Sequence, residues 1–156
     1  YTQSMNMGAK IAKGEYLVFI QNDVFVWEGW LENLCYYLDN NLADCVFPDQ
    51  CPRDRDFVEK SYKMSMEEGM KYGSRDEGLF IIRRNSFEKT GGFNEDLTIL
   101  QMRSFYDRMN NAGVNVIDTC KVMISHIMAG TNLTRLHDNP EEYNKMMEKD
   151  AKLLNV

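Results

Sequence analysis

A carboxylate at the end of a hydrophobic run is the strongest chemical signal in this chain. From Glu15 through Tyr16, Leu17, Val18, Phe19 and Ile20 the sequence is rich in β-forming residues, and it then turns abruptly polar at Gln21, Asn22 and Asp23. A buried strand that stops there aims Asp23 at the carboxyl edge of a sheet, where open α/β folds bind ligands. An acid in that place is a candidate for a metal or phosphate site. Mg2+ and Mn2+ take hard oxygen ligands and are often held by one or two carboxylates plus substrate phosphates. The competing reading makes Asp23 the cap of the helix that follows, since Asp is a favoured N-cap.

Two further places could carry chemistry. His126 ends a strand-like run over 122–127, and a neutral imidazole at a strand end suits Mn2+; a purely structural histidine is the alternative. Gly91 and Gly92 allow a tight turn and a close approach of backbone to ligand, with Phe93 as an anchor and the carboxylates of Glu95 and Asp96 just beyond. A plain helix C-cap also accounts for Gly91. Trp27, Trp30, Tyr36 and Tyr37 form an aromatic cluster that helix packing explains better than sugar stacking. His137 lies in a polar loop and receives no role.

The elements that must position these residues alternate between helix and strand. Met5, Ala9, Ile11 and Ala12 recur at helical spacing over 2–13, with Gly14 as a left-handed cap, and a strand follows over 16–20. Trp27, Trp30, Leu31, Leu34 and Leu38 fall on one face of a helix over 27–38. A short strand over 43–47 is stopped by Pro48 and leads into a polar loop over 49–56. A charged, methionine-rich helix is expected over 57–72, a strand over 78–84, and a short helix capped by Asn85 that Gly91 and Gly92 end. A helix over 99–112 closes at Gly113, two apolar segments occupy 115–117 and 121–127, and Pro140 opens a charged terminal helix. This order predicts an α/β layer structure with a largely parallel sheet.

Composition narrows the partners. The 156 residues are 44% hydrophobic and 12% aromatic, enough for one domain that buries a core. Eighteen Lys and Arg against 24 Asp and Glu give a net charge of −6, which argues against a nucleic-acid groove. Cys35, Cys45, Cys51 and Cys120 form no CxxC pair and read as reduced thiols of a cytoplasmic protein. No run approaches the roughly 20 apolar residues that cross a bilayer, so peripheral association is the expected limit of membrane contact.

Several separated motifs together resemble the family 2 glycosyltransferases of the GT-A fold. They are Asn6-Met7-Gly8; Ala12-Lys13-Gly14-Glu15; the strand ending Gln21-Asn22-Asp23; Gly29-Trp30-Leu31; the strand over 78–84 with Gly91-Gly92-Phe93-Asn94-Glu95; Arg108 with Gly113; and Ser125-His126. The resemblance implies Rossmann-type α/β/α layers with a mostly parallel sheet, lacking the first strand and helix, so that 1–156 is one partial, carboxy-terminal GT-A domain. It implies transfer of a sugar from a nucleotide-sugar donor to a saccharide or lipid-linked saccharide acceptor, as in polysaccharide biosynthesis. It further implies that Asp23 and His126 hold Mn2+ or Mg2+, and that Gln21, Asn22, Gly92, Phe93 and Arg108 contact donor or acceptor. Arg108 is alternatively a helix anchor or a surface arginine.

One departure bears on catalysis. Counting back from Arg108 and Gly113, the acid pair of the family falls on Gln101 and Met102, and neither an amide nor a thioether serves as a general base. Glu95 and Asp96 are the nearest replacements as catalytic residues, with Asp107 expected to face solvent. A relative that keeps the fold and a sugar or nucleotide site without turnover, or one used for assembly, is the alternative.

Overall fold

In a computed structural model, residues 1–50, 78–126 and 136–156 are described. The elements are α1 (Thr2–Ile11), β1 (Tyr16–Ile20), β2 (Val24–Phe25), α2 (Trp30–Asp39), β3 (Cys45–Gln50), β4 (Leu79–Arg83), α3 (Arg84–Thr90), α4 (Gln101–Asn111), β5 (Val116–His126) and α5 (Pro140–Leu154). The helix expected over 57–72, most of the loop expected over 49–56, and Cys51 lie outside the described residues. Cys35 is a free thiol that burial pushes above its ordinary range, and Cys45 is buried.

Alternation along the strands builds two cores. Leu17, Phe19, Cys45, Phe47, Phe80 and Ile82 face α1, α3 and α4, where they meet Ala9, Phe87, Phe93, Phe105 and Met109. Val46, Leu79, Ile81, Val122 and Ile124 face the other way and pack on Leu34 and Leu38 of α2. The result is the expected α/β/α layering. A phenylalanine cluster fills the first core, with Phe93 and Phe105 at 4.5 Å and Phe19 and Phe80 at 4.8 Å between ring centroids.

The sheet order is β1-β4-β3-β5-β2, and its pairing corrects the expectation of a mostly parallel sheet. Only β3 and β5 pair in parallel; β1–β4, β3–β4 and β2–β5 are antiparallel. The direction of β1, β3 and β5 is common to all three, as alternating helices require, but β4 inserts in the reverse sense between β1 and β3. The inserted strand is apolar on both faces, Leu79 to Ile82 all being buried. An apolar run reports burial and says nothing about direction.

The sheet also curls, and this creates the site. In a flat sheet β2 would lie four strand spacings from β1, about 19 Å. Ile20 and Val24 are four residues apart, so the chain can separate them by at most about 14 Å. A break in β5 resolves the conflict: Pro48 is opposite Thr119 but Asp49 is opposite Met123, so 120–122 are looped out. Beyond this bulge β5 sweeps across the carboxyl edge and pairs Ser125 and His126 with Phe25 and Val24. Thr119 Oγ1 pins the bulge, lying 2.6 Å from the Tyr37 hydroxyl and accepting from the Lys121 N–H at 3.1 Å.

The bulge explains two misplaced boundaries. In place of separate segments expected over 115–117 and 121–127, one strand, Val116–His126, is interrupted by it. Pro48 does not stop β3, because a missing N–H is tolerated at an irregularity in the ladder. Other boundaries move for local reasons. Gly29, at φ +79°, delays the start of α2 to Trp30. α3 begins at Arg84, so Asn85 is inside the helix and caps nothing. Gly14 does not cap α1 either: the Arg84 guanidinium takes that place, donating to the carbonyls of Gly14 (2.6 and 2.8 Å) and Ala9 (3.1 Å). Among the described residues no helix is long and apolar enough to cross a membrane.

Candidate active site

The curl of β5 brings His126 to Asp23, three residues beyond the end of β1. His126 Nε2 lies 3.3 Å from Asp23 Oδ1, and both side chains are largely shielded, 13% and 27% exposed. Asp23 Oδ1 is buried yet accepts no hydrogen bond among the described residues, so the close approach is not an aligned one. A buried acceptor left in this state is unfavourable unless something else binds it. The fit to a hard divalent ion is direct: adjacent ligands on an octahedral ion with bonds of about 2.1 Å lie about 3 Å apart. Among the described residues no third His, Cys, Asp or Glu joins them, which matches ions that complete their shell with water and phosphate oxygens.

Gln21 and Asn22 flank the pair. The Gln21 amide N–H donates to the Gly78 carbonyl at 2.8 Å and its side chain reaches the Tyr1 hydroxyl at 3.4 Å. Asn22 is exposed. The Val24 N–H returns to the Gln21 carbonyl at 3.3 Å, so Asp23 sits in a tight turn and does not cap α2, which begins at Trp30.

A second group of expected residues assembles around Asn6 of α1. Asn6 Nδ2 donates to the Phe93 carbonyl (3.0 Å) and to Glu95 Oε1 (2.8 Å), and Asn6 Oδ1 accepts the Phe93 N–H (2.9 Å). Gly92, at φ +72°, turns the chain under this amide; a Cβ there would meet Asn6 Oδ1 at 2.8 Å. Gly91, at φ +74°, ends α3. Arg108 Nη1 donates to the Gly92 carbonyl at 3.1 Å. Glu95 and Asp96 are exposed. Asn6 belonged to a motif, but its spacing gave no hint that it would organise a loop 87 residues away.

The positions of the missing acid pair differ from one another. Met102 is 4% exposed and packs in the first core. Gln101 is half-buried, and its Oε1 is shielded without a hydrogen bond among the described residues. Asp107 faces solvent, as expected. Asp150 escaped the sequence reading: it is wholly buried, with Oδ2 accepting from the backbone N–H groups of Thr98, Ile99 and Leu100 at 2.6–3.0 Å. Its signal was a charge in helical phase with Tyr143, Met146, Met147 and Leu154.

Known structures share the fold. The fold is similar to that of the mannosyltransferase PcManGT from Pyrobaculum calidifontis, solved with GDP-Man and Mn2+, at TM-score 0.65 and 18% identity over 100% of this chain and 44% of that one. It is similar also to the catalytic domain of Drosophila β1,4-galactosyltransferase 7 with xylobiose, at TM-score 0.56 and 17% identity over 96% of this chain and 60% of that one. A mutant of the Drosophila enzyme with manganese, UDP-Gal and xylobiose matches at TM-score 0.53 and 19% identity, over 88% and 53%. The chain therefore spans 44% to 60% of the length of these structures. No curated protein matches the sequence. The GT-A fold is thus shared, and the model of glycosyl transferase family 2 matches residues 1–114. By that match over most of its length, the chain belongs to glycosyl transferase family 2.

Proposed function

We propose that this domain transfers a sugar from a nucleoside diphosphate sugar to a hydroxyl of a saccharide or lipid-linked saccharide acceptor, with inversion and with dependence on Mn2+ or Mg2+. The observation that carries the reading is the buried Asp23 Oδ1, without a hydrogen bond among the described residues and 3.3 Å from His126 Nε2 at the carboxyl edge of the sheet. Asp23 and His126 would hold the ion. When bound, a divalent cation neutralises the charge that gathers on a departing diphosphate. Gln21 and Asn22 then border the diphosphate, while Gly92 and Phe93 offer backbone that can lie close to the sugar. The exposed carboxylates of Glu95 and Asp96 are the groups available to orient the acceptor hydroxyl and take its proton as it attacks. Asn6 fixes Glu95 through its 2.8 Å bond.

A second reading, a relative that binds donor without turning it over, is favoured by Gln101 and by the burial of Met102, which leave the start of α4 without an acid. One experiment separates the two. The full-length protein is assayed with GDP-, UDP- and dTDP-sugars for transfer and donor hydrolysis, with and without Mn2+. Mn2+-dependent turnover that Asp23→Ala abolishes supports the enzyme; Mn2+-dependent donor binding with no turnover supports the second reading. Absence of donor binding in every combination refutes both.

A further inference from the structure

The terminal helix α5 turns a half-buried face inward, and at the centre of that face is a carboxylate, Asp150, with no exposed surface. A buried charge is costly unless it is hydrogen-bonded. Asp150 Oδ2 meets that condition through the N–H groups of Thr98 (2.8 Å), Ile99 (2.6 Å) and Leu100 (3.0 Å), while Oδ1 is buried without a hydrogen bond among the described residues. These are the amides that lead into α4, whose N-cap Leu100 makes no side-chain cap and whose first turn carries no acid. A helix elsewhere in the chain thus supplies both the cap and the negative charge that the amino-terminal end of α4 favours. Lys149 adds a strut, Nζ to the Asp96 carbonyl at 3.3 Å. A Ser or Asp at position 100 would cap α4 locally. Here α5 instead supplies the partner of the three amides.

We propose that Asp150 is a positioning residue for the acceptor side of the site: by clamping 98–100 it fixes the carboxylates of Glu95 and Asp96 on one side and Gln101 on the other. The inference rests on the reading that Glu95 and Asp96 face the acceptor. It concerns acceptor geometry alone, because none of the three amides belongs to the Asp23 and His126 pair.

The test compares Asp150→Asn and Asp150→Ala with Lys145→Ala, an exposed position on the same helix, in the full-length protein. Hydrogen exchange at amides 98–100 is expected to quicken at least tenfold in both Asp150 variants and to stay unchanged in Lys145→Ala. At saturating donor, the acceptor KM is expected to rise at least tenfold, while the Kd for donor with Mn2+ stays within twofold. Wild-type protection of amides 98–100 in Asp150→Asn overturns the proposal, as does an equal fall in donor and acceptor affinity. If Asp150→Ala does not fold, the isosteric Asp150→Asn decides. A wild type that transfers no sugar refutes the functional reading, and the acceptor role with it; an active wild type whose variants weaken donor and acceptor alike refutes the Asp150 role only.

Discussion

Asn6 and Gly92 should be energetically coupled, and the geometry gives the size. Replacing Asn6 with Ala strips partners from the N–H and carbonyl of Phe93, a residue only 3% exposed, and removes the bond to Glu95. Two buried backbone groups left unsatisfied cost about 1–3 kcal/mol each, and the exposed bond adds little, so Asn6→Ala should destabilise by about 3 kcal/mol. Gly92→Ala carries two penalties. A non-glycine residue at φ +72° costs about 1–2 kcal/mol, and the new Cβ, 2.8 Å from Asn6 Oδ1, displaces the same amide. The single substitution should therefore cost about 4–5 kcal/mol, but only about 1–2 kcal/mol once Asn6 is already Ala. Urea denaturation of wild type, both single variants and the double variant measures this as a cycle. The double variant is expected to fall about 3 kcal/mol short of the sum of the singles. Additivity within about 0.5 kcal/mol would show that Asn6 does not hold the Gly92 turn.

Two other outcomes follow from local environments. Gln101→Glu places a carboxylate where Oε1 is already shielded, and desolvation should raise its pKa toward the range of a useful general base. Initial transfer rates at saturating donor and acceptor should rise at least about tenfold, against a typical contribution of about 10²–10⁴ for a positioned base; an unchanged or lower rate contradicts the assignment of that position. Tyr16 donates to Asp39 Oδ1 at 2.6 Å, and this bond, with burial and the Asp39 charge, raises its pKa above the ordinary 10.0. A raised folded pKa means that the stabilisation is present below pH 10 and is lost as pH climbs through the folded value. Phenolate absorbance should show Tyr16 titrating late in wild type and nearer its ordinary value in Asp39→Asn. Identical titration curves refute the pairing.

What the sequence revealed depended on whether a residue's role was local. The end of β1 was readable because the apolar run and the polar Gln21, Asn22 and Asp23 adjoin, and the terminal helix was readable from Pro140, which follows the N-cap Asn139. Gly91 and Gly113 have positive φ where the sequence placed helix ends. Roles that depend on distant partners were hidden. The reversed insertion of β4 leaves no trace in its own residues, because Leu79, Phe80, Ile81 and Ile82 are buried whichever way the strand runs. The Thr119 bulge made one strand read as two. Arg84 took over the cap expected of Gly14 by reaching across from α3, and Asp150 serves amides 50 residues away. Resemblance to the family supplied Asp23 and His126 as a pair, which spacing alone could not: 103 residues separate them, and only the curl of the sheet makes them neighbours.

The pairing of Asp23 with His126 is the claim on which the account stands, and Mn2+ affinity tests it most directly. Calorimetric titration of Mn2+ into the full-length protein with saturating nucleoside diphosphate should show binding that Asp23→Ala and His126→Ala each weaken at least tenfold, about 1.4 kcal/mol or more. Both variants binding Mn2+ as tightly as wild type would contradict it.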